Sequence, residues 1–403
     1  MMITLEQIRQ AAATLSPVIR RTELLTTYSI NPNAQIYLKP ECLQETGSFK
    51  VRGAYYKMST LTDQEKQRGV VACSAGNHAQ GVALGAAHAG IPALICLPKG
   101  APISKVEATK RLGAKVELVP GVYDDAYHRA LALRDEGGYT FVHPFNDLAV
   151  ITGQATIGLE IYEQMPDVEA VVVPVGGGGL ISGIAMALKQ LNPKIKIYGV
   201  QSTGAPSMAL SLNNGRVERL PYVNTIADGI AVKEPGDLTF KLCQQYVDDI
   251  VTVTDDEVAT AILNLIEQQK MVAEGAGAVA VAAAMFRKLP LDGKKAVCLV
   301  SGGNIDVNIL SRVITRGLIE MGRSCVLTIE LPDKPGQLQG VTEIIARAGS
   351  NVISIYHERS GHSMPVTGCY LRLVLETRNE AHIQEIKDTL SQAGYNLVNG
   401  YNI

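Results

Sequence analysis

The chain has 403 residues, of which 46% are hydrophobic and 19% charged, with a formal net charge of −2. It is longer than one ordinary domain, and its composition is that of a globular protein with a large core rather than a disordered one. With 37 Lys+Arg against 39 Asp+Glu and no basic run, it offers no polyanion-binding surface, which excludes nucleic acid as a partner.

In chain order, the opening MMITLEQIRQAAATLSP reads as an amphipathic helix. It lacks the basic start, apolar stretch and cleavage site of a signal peptide, and no apolar run along the chain approaches the length of a membrane span. Strands are predicted at Ile36–Leu38, Val70–Cys73, Ala93–Leu97, Val116–Val119, Ala170–Val175, Ile197–Val200 and Ala296–Val300. Segments with helical spacing lie between them, among them Ala79–Ala89 and Leu180–Leu191. Continuous apolar strands separated by helices imply parallel strands buried on both faces, so residues 1–322 are expected to form an α/β region of doubly wound type. A helix is predicted over Asn304–Met321. The character then changes near Gly322–Ser324. Residues 324–403 alternate as strand, helix, strand, strand, helix, strand: Cys325–Leu331, Gly336–Ala348, Val352–His357, Tyr370–Glu376, Glu380–Ala393 and a last strand near Asn396–Tyr401. That βαββαβ order predicts a ferredoxin-like module. The seven cysteines, Cys42, Cys73, Cys96, Cys243, Cys298, Cys325 and Cys369, include no CxxC pair, and an odd number cannot all pair within one chain. They read as small buried residues of a reduced, cytoplasmic protein.

Four segments carry chemistry. Ser48-Phe49-Lys50-Val51-Arg52-Gly53-Ala54 opens a helix. Taken alone, Lys50 reads as a solvated charge at a helix end whose dipole disfavours it. The second reading is a Schiff-base lysine, which requires a desolvated amine of depressed pKa. Ser74-Ala75-Gly76-Asn77-His78 follows a strand and starts a helix, exposing backbone N–H groups suited to a carboxylate. The alternative is an ordinary turn with Ser74 or Asn77 as N-cap. Gly176-Gly177-Gly178-Gly179-Leu180 also joins a buried strand to a helix. It is neither a Walker loop nor a dinucleotide fingerprint, and it fits a phosphate monoester that approaches the backbone closely; a flexible turn is the alternative. Ser301-Gly302-Gly303-Asn304 closes the last strand of the α/β region and starts a helix. There a hydroxyl either caps the helix or faces a ligand at the carboxyl end of the sheet. Three small-residue turns at strand ends with a placed lysine specify one pocket for an anionic small molecule.

In that order, SFKVRGA, SAGNHAQG, GGGGL and SGGN resemble the fold type II (tryptophan synthase β-like) family of pyridoxal-phosphate enzymes, and within it the threonine dehydratases. The resemblance runs from Thr4 through the C-terminal module. It implies two open parallel-sheet subdomains, the smaller spanning roughly 50–148, and pyridoxal 5′-phosphate as cofactor. By the same resemblance Lys50 holds the cofactor covalently, Phe49 packs on its ring, and Asn77 meets the ring's 3-oxygen. Gly176, Gly177, Gly178, Gly179 and Leu180 cradle its phosphate, and Ser301 meets the ring nitrogen. Ser74, Gly76, Asn77 and His78 receive the substrate carboxylate, with His78 supporting the turn rather than acting as base. The implied reaction takes L-threonine to 2-oxobutanoate and ammonia, with L-serine as a second substrate. Ala75 stands where serine racemases of the family carry a second Ser, so racemisation is expected to be weak. Gln201–Ser207 lacks the carboxylates that hold a divalent metal in some relatives, so no metal site is expected there, although a monovalent cation is compatible.

The C-terminal module resembles an ACT domain, a small module that binds amino acids and pairs with a copy of itself. Its effector residues are then Asp333, Pro335, Gly336, Gln337 and Leu338 at the turn, with Asn351 and Val352 at the second strand. Isoleucine is the first effector to test and valine the second, and the family implies a homodimer or homotetramer. An alternative reading is an L-serine-preferring dehydratase. A third, a catalytically inactive amino-acid sensor, is opposed by intact Lys50, Asn77, glycine run and Ser301.

Overall fold

The computed structural model describes residues 3–359 and 367–398. The chain divides into two compact units, Met1–Ile309 and Leu310–Ile403. The division falls within the helix Val307–Glu320, ahead of the change of sequence character at Gly322–Ser324.

The first unit holds two sheets. The larger has six strands in the order Leu25–Thr27, Gln35–Pro40, Lys295–Val300, Ala170–Pro174, Lys196–Ser202, Asp249–Val253. Its strands pair in parallel, except that Leu25–Thr27 runs antiparallel to Gln35–Pro40. The smaller is wholly parallel, in the order Lys115–Val119, Ala93–Pro98, Val70–Cys73, Thr140–Phe141. Ala170–Pro174 and Val70–Cys73 are buried at every position, as β-branched runs covered by helices on both faces require. One core gathers Val171, Val173, Ile181, Ile184 and Leu299 on the larger sheet. A second gathers Val70, Ala72, Ile95, Val82 and Met58 on the smaller. The chain enters through the helix Leu5–Leu15, whose capping box is formed by Thr4 and Gln7.

Every strand expected in this region is present, with ends moved by one or two residues. Three further strands, Leu25–Thr27, Thr140–Phe141 and Asp249–Val253, escape the periodicity argument. They lie at sheet edges and are partly exposed, so none shows the continuous apolar run of a central strand. The helix expected from Asn304 begins instead at Val307. Asn304 is not free to enter it, because its Nδ2 donates to the Thr46 carbonyl and to Asn77 Oδ1.

A buried charge cluster pins the helix Lys50–Ser59. The Arg52 side chain is fully buried; its Nε and Nη2 donate to both oxygens of Glu41 at 2.8 Å, and its Nη1 donates to Glu160 Oε1 at 2.6 Å. Lys39, also fully buried, donates to Glu160 Oε2 at 2.6 Å. Burial opposes the charge on Glu41, but Arg52 outweighs it and holds the carboxyl below its ordinary range. Two cations against two carboxylates leave the cluster neutral, the condition under which buried charge is tolerated.

The second unit carries an antiparallel sheet in the order Asn351–Glu358, Gly368–Glu376, Ser324–Pro332, Asn396–Leu397. With the helices Gln337–Arg347 and Glu380–Gln392 it makes the expected βαββαβ chain order. Its core joins Ile329, Leu371 and Leu373 to Val341, Ile345 and Ile386. The strand expected near Asn396–Tyr401 is present as Asn396–Leu397; residues 399–401 lie outside the described residues.

Arg52→Ala leaves the buried Glu41 without its cation partner and should cost ~3–5 kcal/mol of stability. Denaturant unfolding followed by circular dichroism measures this, since the chain contains no tryptophan.

Candidate active site

Lys50 is the first residue of its helix, after Phe49 at the N-cap, and the first turn contains no acid. Its Nζ donates to the Pro144 carbonyl at 2.9 Å and lies 5.2 Å from the centre of the Phe49 ring. Burial lowers the amine's pKa to about 8, against the pull of Glu274. The helix dipole works in the same direction as burial, because a cation is disfavoured at this end. A neutral fraction near neutral pH well above that of an ordinary lysine is the property a nucleophilic lysine needs.

The asparagine turn follows the strand Val70–Cys73. Its helix, Asn77–Ala89, is capped by Gly76, with no side-chain cap. Neither Ser74 nor Asn77 is the N-cap that local sequence allows. Ser74 Oγ accepts instead from the Gly76 amide at 3.2 Å, and both oxygen and nitrogen of Asn77 are engaged across the fold. Asn77 Nδ2 donates to Glu274 Oε1 at 2.6 Å, and Asn77 Oδ1 accepts from Asn304 Nδ2 at 2.8 Å. A side chain at Gly76 would meet no protein atom within 4 Å, so the turn opens on space. His78 is buried with its Nε2 at 2.8 Å from the Val142 carbonyl. Burial, then the nearby Lys50, push its pKa down to about 3, so the ring is neutral and serves to hold the turn.

The glycine run follows Ala170–Pro174. Gly178, at φ +93°, is the N-cap of the helix Gly179–Leu191 and has no side chain to satisfy the first amides. Thr239 Oγ1 donates to the Gly177 carbonyl at 2.6 Å, which orients that peptide. A Cβ at Gly177 would collide with the Phe145 ring. Phe145 and Pro144 belong to one loop, which therefore reaches both the glycine run and Lys50. Nothing in the local sequence singled out Phe145 or Thr239, although Asn146 of the same loop stands in a loop context expected to border the pocket.

At the last strand end, Ser301 is buried and its Oγ donates to the Ala276 carbonyl at 3.3 Å. The Phe49 amide donates to the Ser301 carbonyl at 3.1 Å, and Ser48 forms a backbone bridge with Gly302. The lysine segment, asparagine turn and serine turn are thus bonded to one another, and the 144–145 loop ties in the glycine run. Ser48 Oγ is buried without a hydrogen-bond partner among the described residues. The Gln201–Ser207 stretch gains a carboxylate that its own sequence lacks: Asp255 accepts from Thr225 Oγ1, the Ile226 amide and Ser202 Oγ.

In the second unit the helix Gln337–Arg347 begins at Gly336, φ +92°, without a side-chain cap. Asp333 pairs with Arg359 at 2.9 Å, and Leu338 is exposed. Asp333, His357 and Cys369 bring their donor atoms within 4.8 Å of one another. The candidate effector residues do not all meet. Strand register pairs Asn351 with Glu376 and Pro332 with Gly368, so Asn351 and Val352 lie at the opposite end of the sheet from the Asp333–Leu338 turn.

A desolvated amine facing amide-lined turns that can receive two anions defines an enzyme that holds a phosphorylated carbonyl cofactor. Residues 15–302 match the model of the family described as pyridoxal-phosphate dependent enzyme, and residues 326–394 match that of the ACT domain. Over 398 residues the chain is 52% identical to an L-threonine ammonia-lyase of Thermotoga maritima, covering 98% of this chain and 99% of that protein. Among solved structures it is similar to the processed form of threonine deaminase isoform 2 from Solanum lycopersicum, with a TM-score of 0.74, 38% identity, and coverage of 78% of this chain and 88% of that one. It is also similar to maize serine racemase, with a TM-score of 0.74, 36% identity, and coverage of 79% and 99%. The chain belongs to the pyridoxal-phosphate-dependent enzyme family and carries a C-terminal ACT domain. Among the described residues no helix is long and apolar enough to cross a membrane.

The cofactor fits the residues present: an amine able to react with its aldehyde, a capless helix start for its phosphate, and an orphaned buried hydroxyl at Ser48. Thr239→Val removes the hydrogen bond that orients the Gly177 peptide. It should weaken cofactor retention about fivefold, equal to ~1 kcal/mol, read from visible absorbance during dialysis.

Proposed function

We propose that this chain removes ammonia from L-threonine by β-elimination, giving 2-oxobutanoate, and acts on L-serine by the same route. The observation that carries this reading is the convergence of the Lys50 amine, the Ser74–His78 turn, the Gly176–Leu180 run and Ser301 at strand ends of one unit. Lys50 holds pyridoxal phosphate, Gly176 to Leu180 hold its phosphate, Phe49 packs on its ring and Asn77 donates to its 3-oxygen. When bound, the cofactor supplies an electron sink for negative charge at the substrate Cα.

The remaining steps belong to the chain. The open turn at Gly76 receives the substrate carboxylate, and two fixed ends orient the Cα–H bond toward Lys50. The Lys50 amine, when free, would take the Cα proton as general base. Ser301 offers the ring nitrogen a neutral hydroxyl. Unlike a carboxylate, this hydroxyl would not hold that nitrogen protonated, which would favour loss of the β-hydroxyl over transamination. Ala75 places no base on the opposite face of Cα, which supports elimination over racemisation. The seven free, buried cysteines support a reducing, cytoplasmic setting.

The ACT module provides the regulation. Its effector turn runs from Asp333 to Leu338, and isoleucine or valine is the expected ligand. Since Asn351 and Val352 lie at the other end of the sheet, the full effector set assembles only between paired copies. Exposed Val326 and Tyr356 support such pairing and hence a homo-oligomer.

Lys50→Ala should abolish 2-oxo acid release from both substrates. Because only the neutral Lys50 amine can react with the cofactor's aldehyde, uptake of pyridoxal phosphate by the cofactor-free chain should quicken as pH rises through about 8 and level off above; a flat profile contradicts this role. Comparison of 2-oxobutanoate and pyruvate release sets the substrate preference, which one methyl group can shift by about 1–3 kcal/mol, roughly 10–200-fold. Faster release from serine would favour an L-serine-preferring enzyme. Isoleucine titration should alter turnover of threonine, and Asp333→Asn should remove that response while leaving activity without effector intact.

A further inference from the structure

One buried carboxylate beside the asparagine turn takes no part in the proposed reaction steps. Glu274 is buried at the N-cap of the helix Gly275–Met285 and its side chain caps nothing in that helix. Its Oε1 accepts from Asn77 Nδ2 at 2.6 Å. On the other side of the same carboxamide, Asn304 Nδ2 donates to Asn77 Oδ1 at 2.8 Å, and its second hydrogen goes to the Thr46 carbonyl at 2.7 Å.

Counting donors fixes the orientation of Asn77. A carboxylate accepts only and the Asn304 nitrogen donates only, so a flipped Asn77 amide would oppose both partners. With Nδ2 committed to Glu274 by one hydrogen, what remains for a ligand is one N–H. Glycines enclose this contact. A Cβ at Gly302 would lie 2.5 Å from Glu274 Oε1 and 3.0 Å from Asn77 Nδ2, and one at Gly229 would lie 3.3 Å from Glu274 Oε1. The backbone is shaped around a carboxylate–carboxamide pair.

We propose that Glu274, with Asn304, is a positioning residue that locks the Asn77 carboxamide so that it presents a single N–H donor to the 3-oxygen of bound pyridoxal phosphate. This rests on the reading of Asn77 given above. The charge on Glu274 strengthens that hydrogen bond and also polarises the N–H that remains. The groups facing Glu274 are Asp228, which disfavours its charge, Lys105 and Lys50, which favour it, and the Cys42 thiol, which feels it. Lys105 and Asp228 pair with each other at 2.8 Å. Burial foremost, then Asp228, raise the Glu274 pKa to about 7, so the lock loosens as pH falls through that value.

The test is a double-variant cycle on the holoenzyme, with retention of pyridoxal phosphate read from its visible band. Glu274→Ala and Asn77→Ala should each weaken retention roughly tenfold or more, and the double variant should lose no more than the weaker single one. Fully multiplied losses in the double variant, or unchanged retention in Glu274→Ala, overturn the proposal. Should Glu274→Ala not fold, Glu274→Gln decides. Its amide oxygen still accepts from Asn77, so retention should recover, while the component of its pH dependence centred at about 7 should vanish. The same component in both proteins overturns the proposal. An unmodified chain that shows no visible band with pyridoxal phosphate sinks the functional reading itself, whereas a normal band with an unresponsive Glu274 sinks only this inference.

Discussion

The cleft depends on one buried guanidinium. Arg52 stands two residues after Lys50, which places their side chains on opposite sides of one helix. One side chain faces a desolvated pocket as an amine of lowered pKa, and the other is sealed between Glu41 and Glu160. The two requirements support each other. A lysine at a helix start is pushed outward by the dipole and by its own hydration, so an unanchored helix would turn to release it. The fork of Arg52, bonded to two acids from separate elements, prevents that rotation. It does so through a neutral set of charges, without which the burial would be costly.

Around this anchor, the pocket is made chiefly from backbone. Two helices, Asn77–Ala89 and Gly179–Leu191, begin at glycines that supply no cap. An uncapped start leaves amides unsatisfied, which costs stability in an empty protein and provides affinity for an anion. Side chains act mainly one step back. Thr239 orients the glycine run, Ser74 the asparagine turn, and Glu274 and Asn304 the asparagine itself. His78 and His143 are both held neutral by burial, with pKa values pushed down to about 3 and about 4. Neither adds a cation to compete with Lys50. Lys50 and Glu274, with pKa values moved to about 8 and about 7, are the nearby groups poised to change charge.

The second unit uses the same physics for a different end. It too places an uncapped helix start, at Gly336, beside a charged turn. Its antiparallel sheet has helices on one face and exposes Val326 and Tyr356 on the other. Asn351 lies at the opposite end of that sheet from the turn that starts at Asp333.

Central strands and long helices were legible in the sequence, because a strand buried on both faces must be apolar throughout and a helix start needs small or capping residues. The four chemical segments were legible for the same reason: close backbone approach to an anion demands glycine or another small residue, and this demand is local. What local pattern could not carry was decided by tertiary structure. The edge strands Leu25–Thr27, Thr140–Phe141 and Asp249–Val253 are held by partners rather than by an apolar run. Gly76 caps its helix because Ser74 and Asn77 are drawn into other bonds. The delayed helix at Val307 follows from the bonds of Asn304 to residues far behind it in the chain. Glu274, Thr239 and Phe145 join the site across 197, 62 and 32 positions of sequence, as their contacts with Asn77 and Gly177 show. Composition and spacing report what a segment needs from its own backbone. Which distant side chain satisfies a given amide or carboxamide is set only when the sheets bring their strand ends together.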